Sequence, residues 1–239
     1  FPLLARDGGV LERAGHTEAA VDVARLAGMV PAGVICEIMN DDGTMARLHD
    51  LVPFAQFHGL KIGTIADLIA YRTRTESLVR REQSLAIDSM FGGRWQLTVY
   101  RNTINGVRHV ALVQGELGSG GPAMVRMHAL NGLQEILGDL ASGRAGDLHN
   151  AMTMIGAAGR GAVVLIGDGE ADMVAGLLRG HGTGSPREDA ELRDYGIGAQ
   201  ILHDLGVREM ILLSRSDKTV VGLQGHDLKI VERRDIAAG

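Results

Sequence analysis

A single cysteine, Cys36, stands among the 239 residues. One thiol forms no intrachain disulfide and no thiolate-based zinc site, and it suits a reducing compartment such as the cytoplasm. Aromatic residues make up only 3%, too few for the stacking platforms that grip single-stranded nucleic acid. Positive charge is in deficit as well: 24 Lys and Arg against 29 Asp and Glu leave a net charge of −5. That balance argues against a nucleic-acid partner, and the pairs Arg80-Arg81 and Arg233-Arg234 read as solvated surface. No apolar run approaches the roughly 18 residues of a membrane span, so no membrane partner is expected. The opening FPLLARDGG lacks the basic stretch and apolar core of a secretory signal. It also lacks Met and begins inside an apolar, strand-like run, so the chain is expected to be the C-terminal portion of something longer.

What is present is an ordinary globular composition, 45% hydrophobic and 22% charged, in a length that suits one large domain or two small ones. The expected fold is α+β or α/β in two domains. Up to residue 72, short strands and helices alternate. Thr17 to Ala27 reads as a helix with Ala20, Val23, Ala24 and Ala27 on one face, ended by Gly28 and Pro31. Gly33–Met39 and Thr44–Leu48 read as strands of a hairpin around the turn Asn40-Asp41-Asp42-Gly43. Asp50 is expected to cap a helix that Gly59 stops, and a short strand at Leu60–Ile62 leads to a helix capped by Thr64 with Asp67 three residues on. Residues 73 to 93 are charged and then glycine-containing, the expected linker. From 94 to 236, strands are expected at Gln96–Arg101, Val107–Gln114, Ala162–Ile166 and Glu209–Leu213, and a helix at Tyr195–Leu205. The glycine-rich stretches GDGEAD and GHGTGS carry neither a full G-x-G-x-x-G nor a Walker lysine, and read as surface loops rather than phosphate loops.

Two groups of residues could carry chemistry. Arg13, His16 and Thr17 fall at a predicted helix N-terminus, where backbone N–H groups and the helix dipole favour an anion. An arginine there adds fork-shaped donors matched to phosphate. Glu37 shares a predicted strand face with Ile35 and Met39, and burial of that face would suit it to acid–base work. Duller readings remain open: Thr17 as a simple N-cap, His16 satisfying a loop carbonyl, Glu37 on a solvated edge.

The runs FPLLARDGGVLERAGHTEAAVDVARLAG, PAGVICEIMNDDGTMAR and HGLKIGTIADLIAYR resemble the C-terminal half of 3,4-dihydroxy-2-butanone 4-phosphate synthase over residues 1 to 72. The resemblance implies a homodimeric lyase that uses Mg²⁺ (or Mn²⁺) to convert ribulose 5-phosphate, a small sugar phosphate, to dihydroxybutanone phosphate and formate. It implies substrate contacts from Arg13, Ala14, Gly15, His16 and Thr17, with Arg13 and Thr17 facing the phosphate. It also makes His16 a metal ligand and Glu37 the catalytic carboxylate. The family's acidic loop and a second histidine are expected ahead of Phe1, so this chain holds only part of the site.

Residues 94 to about 236 resemble GTP cyclohydrolase II. The resemblance rests on RNTINGVRHVALVQGEL, Arg126-Met127-His128, the run Leu192 to Leu202, and Gly222-Leu223 through Val231-Glu232-Arg233. Here the resemblance implies a degenerate site made of Arg126, His128, Glu191 and Arg193. The family's three zinc thiolates fall on Asn131, Ser142 and Arg144, its phosphate strip on Gly167 to Asp172, and its downstream threonine and lysine on Ser214 and Thr219. No zinc and no GTP ring opening are therefore expected, although a cyclohydrolase with other ligands stays open. The leading expectation is the synthase lyase reaction by the complete protein. The alternative is a non-catalytic structural or regulatory module.

Overall fold

The computed structural model describes residues 1–129, 146–167, 188–215 and 227–236, with the side chains of 188–195 left aside. The chain is a two-domain α/β protein whose contacts divide it into Phe1–Arg72 and Thr73–Gly239.

The first unit contains a 3₁₀ turn at Gly9–Leu11, helix α1 (His16–Leu26), helix α2 (Leu48–His58) and most of helix α3 (Ile65–Thr75). Helix α1 begins one residue earlier than expected. Gly15 takes the N-cap position in an extended conformation and offers no side-chain cap, so Thr17 lies inside the first turn. Asp50 is likewise not the cap of α2. Arg47 is, and Asp50, three residues on, accepts the Arg47 N–H at 2.9 Å. Gly59 closes α2 in the left-handed conformation at φ 64°, where a Cβ would be strained. At α3 the expected box forms: the Asp67 N–H donates to Thr64 Oγ1 at 3.0 Å, and the Thr64 hydroxyl donates to Asp67 at 2.7 Å.

The expected hairpin forms at its turn and one step beyond it, where the Ala46 N–H donates to the Ile38 carbonyl at 2.8 Å. The Asn40 N–H donates to the Thr44 carbonyl at 2.8 Å, and a lone bridge joins Met39 to Met45. Residues 33–38 and 60–62 are not strands. A strand needs a laddered partner, and Val34 is 99% exposed.

The second unit is one mixed seven-stranded sheet: β1 (Val79–Ser89), β2 (Gly93–Asn102), β3 (Arg108–Gln114), β4 (Ala123–Ala129), β5 (Gly161–Ile166), β6 (Glu209–Leu213) and β7 (Lys229–Arg234), in the order β1-β2-β3-β5-β4-β6-β7. β1 to β3 and the β3–β5 pair run antiparallel, while β5, β4, β6 and β7 run parallel. Among the described residues two helices serve it, α4 (Asp147–Ala158) and α5 (Glu188–Asp204). The supposed linker at 73–93 is therefore largely β1. Its charged residues mark an edge strand exposed along most of its length, and Arg81 is no idle surface charge, since its Nε donates to Asp204 at 2.5 Å.

Helix α4 packs Leu148, Ala151, Met152 and Ile155 with Trp95, Leu112 and Val163. Helix α5 lies on the other face: Gly198 meets Met127 and Ile166, and Ile166 points opposite to Val163 by strand alternation. β5 between them is buried on both faces, which is why it reads as the uninterrupted apolar run GAVVLI. Gln200, on α5, accepts the Leu78 N–H at 2.7 Å and donates to the carbonyls of Thr73 and Glu76 at 2.6 and 2.7 Å, which anchors the approach to β1.

Candidate functional site

In the first unit, the stretch from Arg6 to Gly15 folds back on α1, fixed by two buried carboxylates one turn apart on that helix. Asp22 accepts the Val10 N–H and the Arg72 guanidinium, each at 2.8 Å, and Arg72 also donates to the Gly8 carbonyl at 2.8 Å. Gly9 sits at φ 61° with its Cα against the Asp22 carboxylate, where no Cβ fits. Glu18 accepts the Arg6 N–H at 3.1 Å and pairs with Arg13 at 3.3 Å. Burial opposes its ionisation, but the hydrogen bonds from the backbone N–H groups of Arg6 and Glu18 itself, with the Arg13 charge, outweigh it and hold the carboxyl below its usual range.

This folding brings Arg13, Ala14, Gly15, His16 and Thr17 together at the start of α1, with Arg13 and His16 exposed and Thr17 half-buried. The first N–H groups of a helix have no intrahelical partner, and Gly15 supplies no side chain to cap them. Thr17 and Arg6 line a cavity of about 620 Å³ between residues 1–7, α1 and residues 31–35. Glu37 stands two residues after Ile35, which lines the same cavity. It lies exposed on an irregular segment, so the burial expected of its strand face is absent, and no side-chain hydrogen bond joins it to Arg13, His16 or Thr17 among the described residues. No group of three His, Cys, Asp or Glu side chains comes together as a metal site among the described residues. His16 offers one nitrogen, whereas Mg²⁺ favours carboxylate and water oxygens. The described residues do not fit that ion by themselves.

In the second unit, Arg126 lies midway along β4, His128 near its carboxyl end and Arg215 just past the end of β6, on the side where open α/β sheets hold ligands. Arg126 donates to the Leu213 carbonyl at 3.1 Å and lies 3.4 Å from His128 Nδ1 and 3.8 Å from Asp147. Arg215 Nε lies 3.0 Å from the same carboxylate, which is 1% exposed at the start of α4. Asp147 was not singled out by the sequence. Its signal was a Gly-Asp ahead of the 3.6-residue pattern Leu148, Ala151, Met152, Ile155. Buried His109 is a second omission. Its Nδ1 accepts the Gly167 N–H at 3.2 Å, and burial depresses the imidazole to about 4. Glu191 and Arg193 fall on α5, but their side chains lie outside the described residues. Asn131, Ser142, Arg144, the run 168–172, Thr219 and the stretch GHGTGS also lie outside them. No helix among the described residues is long and apolar enough to cross a membrane.

Comparison with known proteins divides the chain in the same way. Residues 80–235 match the family model of GTP cyclohydrolase II, and residues 1–71 match that of 3,4-dihydroxy-2-butanone 4-phosphate synthase. The chain is 46% identical over 246 residues to a riboflavin biosynthesis protein RibBA from Aquifex aeolicus, covering 98% of this chain and 60% of the relative. A RibBA from Bacillus cereus is 43% identical over 245 residues, covering 98% and 62%. The chain thus spans about three fifths of the length of the curated relatives it matches. Among solved structures it is similar to RibBX, a two-domain 3,4-dihydroxy-2-butanone 4-phosphate synthase from A. baumannii. That match has a TM-score of 0.75 and 39% identity, and it covers 100% of this chain and 64% of the other.

Proposed function

We propose, for a chain that belongs to the GTP cyclohydrolase II family through residues 80–235, a role in riboflavin biosynthesis whose chemistry resides in the first unit rather than in the family domain. The complete protein would convert ribulose 5-phosphate to 3,4-dihydroxy-2-butanone 4-phosphate and formate. The observation that carries this reading is the run Arg13-Ala14-Gly15-His16-Thr17 at an N-terminus of α1 without a side-chain cap, within a segment that matches the synthase family model. There Arg13 and Thr17 would bind the sugar phosphate with the first N–H groups of the helix. His16 would give one ligand to Mg²⁺ or Mn²⁺, which needs further oxygen ligands. Glu37 would move protons, and since it is exposed here, further residues must enclose it for that work. Exposed Val34, Ile35 and Met39 around it support such covering. A cytoplasmic homodimer is part of the same proposal.

The second unit we read as a cyclohydrolase fold without cyclohydrolase chemistry. Activation of water by zinc needs a closed set of ligands with one open position. The only cysteine of the chain is Cys36, and Asn131, Ser142 and Arg144 stand at the thiolate positions implied by the resemblance. Arg126 and Arg215 lie 3.8 and 3.0 Å from buried Asp147, which favours a structural or regulatory role for this unit.

The test uses the complete protein with ribulose 5-phosphate and Mg²⁺. Glu37→Gln keeps the shape and removes the proton-transfer group, and turnover should fall about 10²-fold or more. Near-normal formate release from that variant would end the assignment of Glu37.

A further inference from the structure

Glu18 and Asp22 are the fully buried carboxylates of α1, at 0% and 1% exposure. The partners of Asp22 account for its burial: a backbone N–H, the buried Arg72 and the flanking Arg25 at 3.1 Å. Glu18 faces a different set. Besides the Arg6 N–H, its two oxygens lie 3.3 and 3.5 Å from Arg13 Nη1, and the Arg13 side chain remains 61% exposed. A carboxylate inside the fold thus holds one end of a guanidinium whose remaining surface faces solvent. Gly15 makes room for this, because a Cβ there would collide with Glu18 Oε2.

Burying a carboxylate is costly, and the backbone N–H groups of Arg6 and Glu18 that it accepts call for an acceptor but not for a charge. An arginine on the surface has many rotamers, and fixing one in advance lowers what binding must spend on order. We infer that Glu18 is a positioning residue for Arg13, setting the plane of its guanidinium so that the outward N–H groups meet the phosphate of the substrate. This rests on the reading of Arg13 as a phosphate-binding residue. Glu18 opposes that binding by charge and aids it by orientation, so the sign of the effect separates the two: positioning predicts weaker binding once the carboxylate is neutralised.

The test is titration of ribulose 5-phosphate into the chain and into Arg13→Ala, Glu18→Gln and the double variant, with melting temperatures to confirm folding. Glu18→Gln should raise Kd roughly three- to tenfold, and in the Arg13→Ala background it should change nothing further. Unchanged or tighter binding by Glu18→Gln overturns the proposal, as does equal weakening in both backgrounds, which is the mark of a purely structural residue. If Arg13→Ala itself binds as the parent does, the phosphate reading fails and the positioning role falls with it. Nitrogen relaxation of the unliganded parent gives a check that needs no variant. The Arg13 Nε–H should be ordered on the nanosecond scale, and a freely rotating guanidinium would overturn the proposal.

Discussion

His109 shows how a single buried group can set a response to pH. Its ring is 3% exposed and depressed to about 4 by burial, against an ordinary value of 6.5. The folded protein therefore keeps it neutral while the unfolded chain takes up a proton. The stability this contributes is complete above pH 6.5, falls as pH drops from 6.5 toward 4, and is gone below. The swing is on the order of 3 kcal/mol. Denaturant unfolding of the parent at pH 7 and pH 4.5 should show that loss. His109→Asn, which retains an acceptor for the Gly167 N–H and does not titrate, should lose correspondingly less. Equal losses in both proteins would show that other groups govern the acid response. Arg13 to Thr17 could be found from the sequence because they are contiguous and precede a helical pattern. Asp147 and Arg215 could not be joined in that way, since only the fold brings the start of α4 and the end of β6 into reach.

At the level of elements, the segments predicted well are those whose signals are local. Thr64 and Asp67 cap α3 through their own side chains, and β5 is apolar throughout because both of its faces are covered. β1 was mistaken for a linker because an edge strand exposed along most of its length need not alternate apolar and polar residues. The reverse error at residues 33–38 has another cause: the apolar run Val34-Ile35-Cys36 reads as a strand, but no strand ladder forms there. The loop from Gly115 to Pro122 depends on one distant residue. Arg160 donates to the carbonyls of Glu116, Leu117, Gly120 and Gly121 at 2.7 to 3.1 Å, and also to that of Ser119. Several carbonyl dipoles gathered on one guanidinium repel each other once the charge is gone. Arg160→Ala should cost about 1–3 kcal/mol and raise hydrogen exchange across residues 116–121, with β2 and β3 little changed. Exchange in that loop equal to the parent's would show that the loop holds its shape without the arginine.

For the whole molecule, two family domains follow one another, and the account gives them unequal shares of the chemistry. The first unit carries anion-binding and proton-transfer residue types, of which Arg13 to Thr17 stand at the start of α1 and Glu37 lies exposed on an irregular segment. The second holds, among the described residues, a seven-stranded sheet with helices α4 and α5, and Arg126 and Arg215 lie 3.8 and 3.0 Å from buried Asp147. A fold can persist after its site is lost, because packing and catalysis draw on different residues. The decisive measurement offers the complete protein GTP and ribulose 5-phosphate together with Mg²⁺ and follows both by chromatography. Ribulose 5-phosphate should disappear as dihydroxybutanone phosphate accumulates, with GTP unchanged. Steady consumption of GTP, or no turnover of ribulose 5-phosphate, would contradict the account.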